Sequence, residues 1–253
     1  TIITICYNNP GELHRTLNSI STQTRAPAQL IVVDSSSPAI SERTKKMARH
    51  AGAIYLSTPP RGVYEAMNRG IEDALPGSYI WFMNSSDMLA HPRSVALVAK
   101  LVEQLKTGGP GWIVGGLFRV RNHKLAIHNS GRDSGRFARR MYLGSIGFPH
   151  PSTLMPKDFL TLEKGFNTRY RIAADYDLGL RTVSHLGPPM LLDFPLSVHF
   201  PGGISYMRPM KNFLEKAVAR FGSLPPHHAI PLNLTAVFFG VRGIFRRYFL
   251  TTE

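Results

Sequence analysis

Residues 1–34, TIITICYNNPGELHRTLNSISTQTRAPAQLIVVD, hold two short apolar runs separated by an amphipathic segment. The runs at residues 2–6 and 28–34 have the length and composition of buried strands. Between them, Leu13, Leu17 and Ile20 fall on one helical face. A strand, a helix and a second strand in this order predict a β-α-β unit, in which the strands lie parallel and the crossover is right-handed.

The same alternation continues through residue 105. Helical patterns occur near 40–50, 62–74 and 94–105, with strands at 53–57 and 79–84. Residues 112–130, WIVGGLFRVRNHKLAIHNS, then predict a hairpin, and residues 129–148 have the Gly, Ser and Arg composition of a mobile loop. Further helices are predicted at 156–162, 174–185, 207–221 and 232–249, with short strands within 189–200. The chain as a whole is predicted to be an α/β protein.

Composition limits the partners and the compartment. The 253 residues are 43% hydrophobic, which is enough for a core, and the formal net charge of +14 attracts nucleotide phosphates, nucleic acid or acidic lipid. Cys6 is the only cysteine, so no intramolecular disulfide is possible and a reducing compartment is favoured. The first residues lack the charged and apolar regions of a secretory signal. We therefore expect a cytoplasmic location.

Two predicted strands end on an acid. The stretch YIWFMNSSDMLAHP, residues 79–92, breaks an apolar run with Asn84, two serines and Asp87. Ligands of open α/β sheets bind at the carboxyl ends of the strands, where a carboxylate suits a hard cation that carries phosphates. Asp34 at the second strand tip can accept hydrogen bonds from a base or ribose, with Tyr7 lying against the base. The alternatives are that Asp87 caps a helix and that Asp34 caps a turn.

The segment PPRGVYEAMNRGI, residues 59–71, follows the third strand. Tyr64 and Asn68 are four residues apart, so they share one face of a helix whose N-terminus points toward the same edge of the sheet. The guanidinium of Arg61 beside that helix end suits a diphosphate. The alternative for Tyr64 is simple core packing.

Seven segments together resemble a known family. TIITICYNN, IVVDSSS, RGVYEAMNRGI, FMNSSDML, HPSTLMP, YRIAADYDLGLR and FPGGIS occur in the order and spacing of family 2 glycosyltransferases of GT-A fold, over residues 1–206. The sequence is most similar to bacterial enzymes that build colanic acid, O-antigen or other surface polysaccharides and glycolipids. The resemblance implies a Rossmann-like, mostly parallel sheet with helices on both faces. It divides the chain into a nucleotide-sugar half (1–116), an acceptor half (117–206) and a basic C-terminal helical extension (207–253).

The resemblance also implies a set of site residues and a reaction. It implies inverting transfer of a sugar from a UDP, GDP or dTDP donor to a glycan or lipid-linked hydroxyl, with Mg²⁺ or Mn²⁺ on the diphosphate. Asp175 matches the general base, and Asp87 and His199 match the metal ligands. The donor set is Thr4, Tyr7, Asp34, Arg61, Tyr64, Asn68, Asn84 and Asp87; the acceptor set is His150 and Asp177.

The sequence departs from the family pattern at three positions. Asn84 and Ser86 stand where acids are common, and Ala174 stands where many relatives have Glu. Structural alternatives also remain open: a helix cap for Asp175, an ion pair with Arg181 for Asp177, and a structural histidine at position 150.

The basic segments and the tail suggest further roles. The Arg-rich residues 132–140 are predicted to form a lid over the donor. Residues 232–249 carry too many arginines for a membrane span and are predicted to lie as an interfacial helix on the inner face of the membrane, with a core or oligomer-forming helix as the alternative. Two other function classes remain as alternatives. A sugar-nucleotide pyrophosphorylase would need a Gly-rich phosphate loop after the first strand, and CYNNPGEL matches such a loop poorly. A basic nucleic-acid-binding module is suggested by the charge alone, because the sequence has no RNP or zinc signature.

Overall fold

The computed structural model describes residues 1–105, 111–121, 124–128, 131–144, 149–200 and 209–223, together with residues 230 and 234. Over these residues the protein has the predicted α/β fold, built on one sheet of nine strands. The strands are β1 (Ile2–Cys6), β2 (Leu30–Asp34), β3 (Ile54–Ser57), β4 (Tyr79–Phe82), β5 (Met88–Leu89), β6 (Ile113–Arg121), β7 (Lys124–His128), β8 (Thr153–Pro156) and β9 (Met190–His199). The helices are α1 (Pro10–Ser21), α2 (Pro38–His50), α3 (Val63–Glu72), α4 (Ser94–Leu105), α5 (Ser134–Tyr142), α6 (Lys157–Leu162), α7 (Ala174–Leu186) and α8 (Pro209–Ser223), and a 3₁₀ turn, His150–Ser152, precedes β8.

The strand order is β3-β2-β1-β4-β8-β6-β9-β5, with β7 paired to β6 outside this path. The first four strands pair in parallel, as the β-α-β alternation predicts. Beyond β4 the sheet is mixed: β8 runs antiparallel to both β4 and β6, while β9 runs parallel to β6. The chain leaves β1 toward β2 and β3 and returns to its other side at β4. The strand order therefore reverses between β1 and β4, which is where open α/β sheets bind ligands.

The sheet separates two cores. On one face, Ile2, Val32 and Trp81 pack with residues of α1, α2 and α4. On the other face, Ile3 and Phe82 pack with residues of α3 and α5 through α8. Successive residues of β1 alternate between the faces because side chains of a strand point in turn to opposite sides. Helices consequently cover both faces, as predicted.

The prediction of a mobile loop at residues 129–148 is wrong for most of the part that the structure describes, residues 131–144. Residues 134–142 form α5, which begins where the Asp133 side chain accepts a hydrogen bond from the Arg136 N–H at 2.9 Å. Phe137 and Met141, four residues apart, are buried against the core, and the Phe137 ring meets Trp112 edge to face. A lid made from residues 132–140 would have to expose Phe137 when it opened. The structure thus gives the segment a packing role.

The C-terminal region is described only in part. The helix predicted at 207–221 is confirmed as α8, which packs on α7. The helix predicted at 232–249, with its basic face, lies outside the described residues except for position 234. Within the described ranges, no helix is both long and apolar enough to cross a bilayer. The division at residue 206 stays a prediction, although α8 contacts the rest of the chain closely.

Candidate active site at the carboxyl edge of the sheet

A crevice of about 980 Å³ opens at the carboxyl ends of β1 and β4. Its walls come from the tip of β1, the first turns of α1 and α3, the loop after β4 and the end of β9. The lining residues include Tyr7, Asn9, Glu12, Arg15, Ser35, Gly62, Val63, Asn84, Ser85, Asp87, His199 and Phe200. The size lies within the range for cofactor and small-molecule sites. The crevice lies at the strand-order reversal, where the sequence predicts the ligand to bind.

Asp87 and His199, both predicted metal ligands, meet at the crevice. Asp87 Oδ1 and His199 Nδ1 lie 2.8 Å apart, and Asp87 is 1% exposed. Burial raises the pKa of Asp87, whereas the hydrogen bond from His199, the charge of that ring and the backbone N–H of Phe200 lower it. The two residues are far apart in sequence and are joined because β5, just after the loop, pairs antiparallel with the end of β9. The structure therefore assembles an acid and an imidazole on one wall.

Thr16 of α1 holds the loop that carries Asp87. Its hydroxyl donates to the backbone carbonyl of Asp87 at 2.8 Å and accepts from the Ser86 N–H at 3.1 Å. Ser86 has φ 138°, a value that residues other than glycine rarely adopt. A glycine at this position would adopt that φ without strain. Here the hydrogen bonds from Thr16 secure the turn instead.

The residues of this wall fit a divalent cation. Asn84 lines the crevice, and its side-chain oxygen is buried with no hydrogen-bond partner in the described residues. Carboxylate and amide oxygens suit Mg²⁺, and the imidazole also suits Mn²⁺. Across the described ranges no group of three or more His, Cys, Asp or Glu side chains could hold a metal. A cation at this wall would have one carboxylate, one imidazole and one amide oxygen available from the protein, which would leave coordination positions for phosphate oxygens.

Tyr7, the N-cap residue Asn9 and two residues of α1, Glu12 and Arg15, complete the crevice. Tyr7 is 60% exposed at the end of β1, so its ring is available to a base. Asn9 accepts hydrogen bonds from the Ser85 hydroxyl and the Tyr7 N–H and donates to Glu12 at 2.6 Å. The Arg15 guanidinium lies 4.8 Å from the centroid of the Phe200 ring. The sequence analysis missed Asn9, Glu12 and Arg15, although their position at the start of the helix after β1 was a usable signal.

Thr4 and Asp34, two members of the predicted donor set, do not line the crevice. Thr4 is fully buried within β1. Asp34 is 1% exposed, and its two oxygens accept from the Ser36 N–H and the Tyr55 hydroxyl, each at 2.9 Å. This is the turn-capping alternative for Asp34, and the adjacent residue, Ser35, is the one at the wall. A contact of Asp34 with a base or ribose stays a prediction. It would require Asp34 to give up its hydrogen bonds with Ser36 and Tyr55.

The shared helical face of Tyr64 and Asn68 is confirmed, but it points to residues 165–175. The Tyr64 hydroxyl donates to the Ile172 carbonyl at 2.6 Å and lies 3.4 Å from Asp175 Oδ1. Asn68 donates to the Phe166 carbonyl at 2.9 Å and accepts from the Phe166 N–H at 2.8 Å. Both side chains thus tether the segment before α7. Arg61 is exposed beside the helix start and is not among the lining residues.

Asp175 lies in the first turn of α7 and is partly exposed. Its Oδ1 accepts from the Tyr176 N–H at 2.7 Å and from Tyr64. Burial raises the pKa of Asp175, while the charge of Lys216 and these hydrogen bonds lower it. Asp175 does not line the crevice itself; α3 links the two, since Tyr64 contacts Asp175 and the adjacent Val63 is at the wall. Of the three acids at positions 34, 87 and 175, only Asp87 lines the crevice.

The predicted acceptor residues, Asp177 and His150, are both buried. Asp177 Oδ2 accepts from Arg181 at 3.1 Å, the ion pair that the spacing of four predicts. The His150 ring stacks on Phe82 with centroids 5.1 Å apart. Burial first, and the charge of His199 second, lower the pKa of His150 to about 4. These environments give both residues structural roles, and their contact with an acceptor stays a prediction.

Sequence comparisons identify relatives of this chain. A family model described as Glycosyl transferase family 2 matches residues 1–160. An uncharacterized glycosyltransferase of Mycobacterium tuberculosis is 30% identical over 183 residues, which cover 72% of this chain and 67% of the relative. A PGL/p-HBAD biosynthesis glycosyltransferase of Mycobacterium bovis is 27% identical over 191 residues, covering 73% and 70%.

Solved structures share the fold at low sequence identity. Staphylococcus aureus TarS aligns with a TM-score of 0.71 and 15% identity over 100% of this chain, which spans 46% of the TarS chain. The complex of TarS residues 1–349 with UDP-GlcNAc gives a TM-score of 0.72 at 14% identity, covering 100% and 75%. Glucosyl-3-phosphoglycerate synthase from Mycobacterium tuberculosis, in complex with Mn²⁺ and UDP-Glc, gives 0.58 at 18% identity, covering 89% and 79%.

Proposed function

The chain belongs to glycosyl transferase family 2, and from this premise we propose that it moves a sugar from a nucleoside-diphosphate donor to a hydroxyl of a glycan or lipid-linked acceptor, with inversion. The observation that carries the proposal is the pairing of Asp87 with His199 on the crevice wall. A buried carboxylate beside an imidazole at the strand-order reversal is suited to a cation and a diphosphate.

The proposed donor is a UDP, GDP or dTDP sugar. TarS and glucosyl-3-phosphoglycerate synthase, which share this fold, are described in complex with UDP-GlcNAc and UDP-Glc. In this chain the exposed Tyr7 ring at the end of β1 offers a surface on which a base can stack. The net charge of +14 favours the approach of an anionic donor.

Asp87 and His199 are the proposed ligands of Mg²⁺ or Mn²⁺, with the Asn84 amide oxygen beside them. A bound cation supplies neutralisation of the charge that develops on the leaving diphosphate. Asp87 contributes the formal charge of the set, and the ring of His199 must be neutral to bind a metal.

Asp175 is the proposed general base. A carboxylate in this role takes the proton of the acceptor hydroxyl while that oxygen attacks the anomeric carbon from the face opposite the diphosphate. Two features of the chain support the assignment: Tyr64 holds the Asp175 side chain, and burial raises its pKa, which makes the carboxylate a stronger base. Attack from the opposite face inverts the anomeric configuration.

The proposed acceptor is a surface polysaccharide or glycolipid intermediate. The Mycobacterium bovis relative is named for PGL/p-HBAD biosynthesis, which agrees with a glycolipid-related acceptor. The tail at 232–249 is proposed to contact anionic membrane on the cytoplasmic side. Flotation of the full chain with anionic liposomes, beside a variant lacking residues 232–253, tests this contact; equal flotation of the two would contradict it.

Thermal shifts with nucleotide sugars test the donor and the cation, because a ligand that binds only the folded state raises its melting temperature. UDP-Glc, UDP-GlcNAc, GDP-Man and dTDP-Glc are added with and without Mn²⁺, and at least one should raise the melting temperature more strongly when Mn²⁺ is present. No shift with any of them would contradict the donor assignment.

Turnover tests the base. Asp175→Asn should abolish release of nucleoside diphosphate in the presence of a membrane lipid extract, yet retain the donor-dependent thermal shift. Asp158→Asn, which alters an exposed acid of α6, is the matched control and should retain turnover. Full turnover in Asp175→Asn would remove Asp175 from the base role.

Membership of the family displaces the two alternatives from the sequence. A pyrophosphorylase or a nucleic-acid-binding module has no support from the matched relatives, all of which are named as glycosyltransferases.

A further inference from the structure

Helix α8 reaches the start of α7, the helix that carries Asp175. The Glu215 carboxylate accepts hydrogen bonds from the N–H groups of Arg171, Ile172 and Ala173 at 3.2, 2.8 and 3.0 Å. Ala173 is the N-cap residue of α7, and its side chain has no oxygen with which to cap the first turn. Glu215 of α8 therefore holds the backbone that leads into α7, and it supplies the negative charge that a helix N-terminus favours.

Lys216, the next residue of α8, faces the same turn. Its ammonium lies 5.1 Å from the centroid of the Tyr176 ring, and Tyr176 directly follows Asp175. Burial lowers the pKa of Lys216, while the charge of Asp175 raises it. In the described part of the chain, no salt bridge within 4.0 Å joins Lys216 to an acid; the one acid contact of an α8 lysine is that of Lys211 with Glu215.

The charged and polar groups that face Asp175 come from three elements. They are the Tyr64 hydroxyl of α3, the Lys216 ammonium of α8 and the N–H of Tyr176 in α7. Arg220 of α8 faces Lys216 and donates to the Tyr176 hydroxyl at 3.2 Å, which adds a second positive charge to the cluster. Lys216 is the largest of the influences that favour the ionised form of Asp175.

We propose that Glu215 and Lys216 are positioning residues for the transfer reaction, Glu215 by fixing the backbone that leads into α7 and Lys216 by placing a positive charge beside the turn that carries Asp175. This inference rests on the proposed role of Asp175 as base. A carboxylate that has lost part of its hydration needs a compensating charge, yet a direct ion pair would occupy the oxygen that must take the proton. Lys216 supplies the charge without such a contact. The active site then extends beyond the residues that the family model matches, to α8.

The Lys216 half of the proposal is tested without substrate, by ¹³C NMR of protein labelled at the aspartate carboxyl groups. The resonance that disappears in Asp175→Asn reports Asp175. Lys216→Met should raise its titration midpoint by about one pH unit or more, whereas Lys216→Arg, which keeps the charge, should change it by less than about half a unit. Lys46→Met, which removes an exposed lysine from α2 on the other face of the sheet, should leave the midpoint unchanged. An unmoved midpoint in a folded Lys216→Met protein would overturn this half.

The Glu215 half is tested by amide hydrogen exchange. Glu215→Ala should accelerate exchange at residues 171–173 by about tenfold or more, because their N–H groups lose the acceptor. Glu215→Gln, which retains one acceptor oxygen, should show a smaller acceleration. Equal exchange in the wild type and Glu215→Ala would refute the proposed role of Glu215 in holding this backbone. Retained turnover in Asp175→Asn would remove the base role while leaving these results standing, so failure of the function and failure of the inference can be told apart.

Discussion

Replacing Asn68 by alanine separates a structural role of this side chain from a role in donor binding. Its amide makes two hydrogen bonds to the backbone of Phe166, at 2.8 and 2.9 Å, and Phe166 is 2% exposed. Each bond contributes about 0.5–1.5 kcal/mol net, and a buried backbone group left without a partner costs about 1–3 kcal/mol. We therefore expect Asn68→Ala to lower the free energy of unfolding by about 2–4 kcal/mol.

Urea unfolding at constant pH measures this loss. The matched control is Asn18→Ala, at an exposed position of α1, which should change the free energy of unfolding by no more than about 0.5 kcal/mol. Titration calorimetry with UDP, GDP or dTDP plus Mn²⁺ then compares donor affinity, which should change by less than about twofold because Asn68 does not line the crevice. A variant with unchanged stability and about tenfold weaker nucleotide binding would refute the reasoning and return Asn68 to the donor site.

Asn68→Asp gives an independent check through pH. The new side chain faces the Phe166 carbonyl with an oxygen, so only its protonated form can donate the second hydrogen bond. Its folded-state pKa is therefore raised above the unfolded value of about 3.9. The hydrogen bond therefore stabilises the folded variant fully below the unfolded pKa, and this stabilisation is lost as the pH rises through the folded pKa. Unfolding curves that do not change with pH relative to the wild type would contradict the geometry.

Two further predictions concern histidines. His199→Ala should weaken Mn²⁺-dependent nucleotide binding by about tenfold or more while leaving Mn²⁺-independent binding nearly unchanged, because it removes one proposed ligand; equal loss in both conditions, measured by calorimetry, would contradict a metal role. His150 has a folded pKa lowered to about 4, so the wild type loses stability as the pH falls from about 6.5, when only the unfolded state gains the proton. Relative to His150→Phe, the wild type should lose about 2 kcal/mol of unfolding free energy between about pH 7.5 and pH 5, and parallel pH dependences would rule out the burial effect.

The parts of the fold that depend on local pattern are predictable from the sequence. Leu13, Leu17 and Ile20 are buried on the inner face of α1, as their spacing predicts. Helix α5 was missed because Phe137 and Met141 are nearly its only apolar anchors among arginines, glycine and serine. Its stability comes from Asp133 at the N-cap and from contact with Trp112 and α7, and the second of these is tertiary.

It is harder to predict which segment a helix face will contact than to predict which residues share that face. The spacing of Tyr64 and Asn68 correctly predicts a common face, but their partners, Ile172 and Phe166, are about a hundred residues away in sequence. No local pattern indicates which segment will pack over α3. For the same reason the sequence places Asp175 near a helix start, yet gives no sign that Glu215 of α8 will hold the backbone that leads into that helix.

The pairing of Asp87 with His199 is a property of strand register. Two residues before His199 along β9, the Ser197 hydroxyl meets that of Ser152 at 2.5 Å, and Ser152 donates to the Gly116 carbonyl of β6 at 2.7 Å. Ser197 and His199 share one side of the strand because side chains alternate. A slip of one residue would present Val198 or Phe200 to Asp87 and leave a buried carboxylate without its partner, which is energetically costly. The sequence at the end of β4 is therefore enough to identify Asp87. The identity of its imidazole partner depends on the register of β9, which a buried serine pair holds.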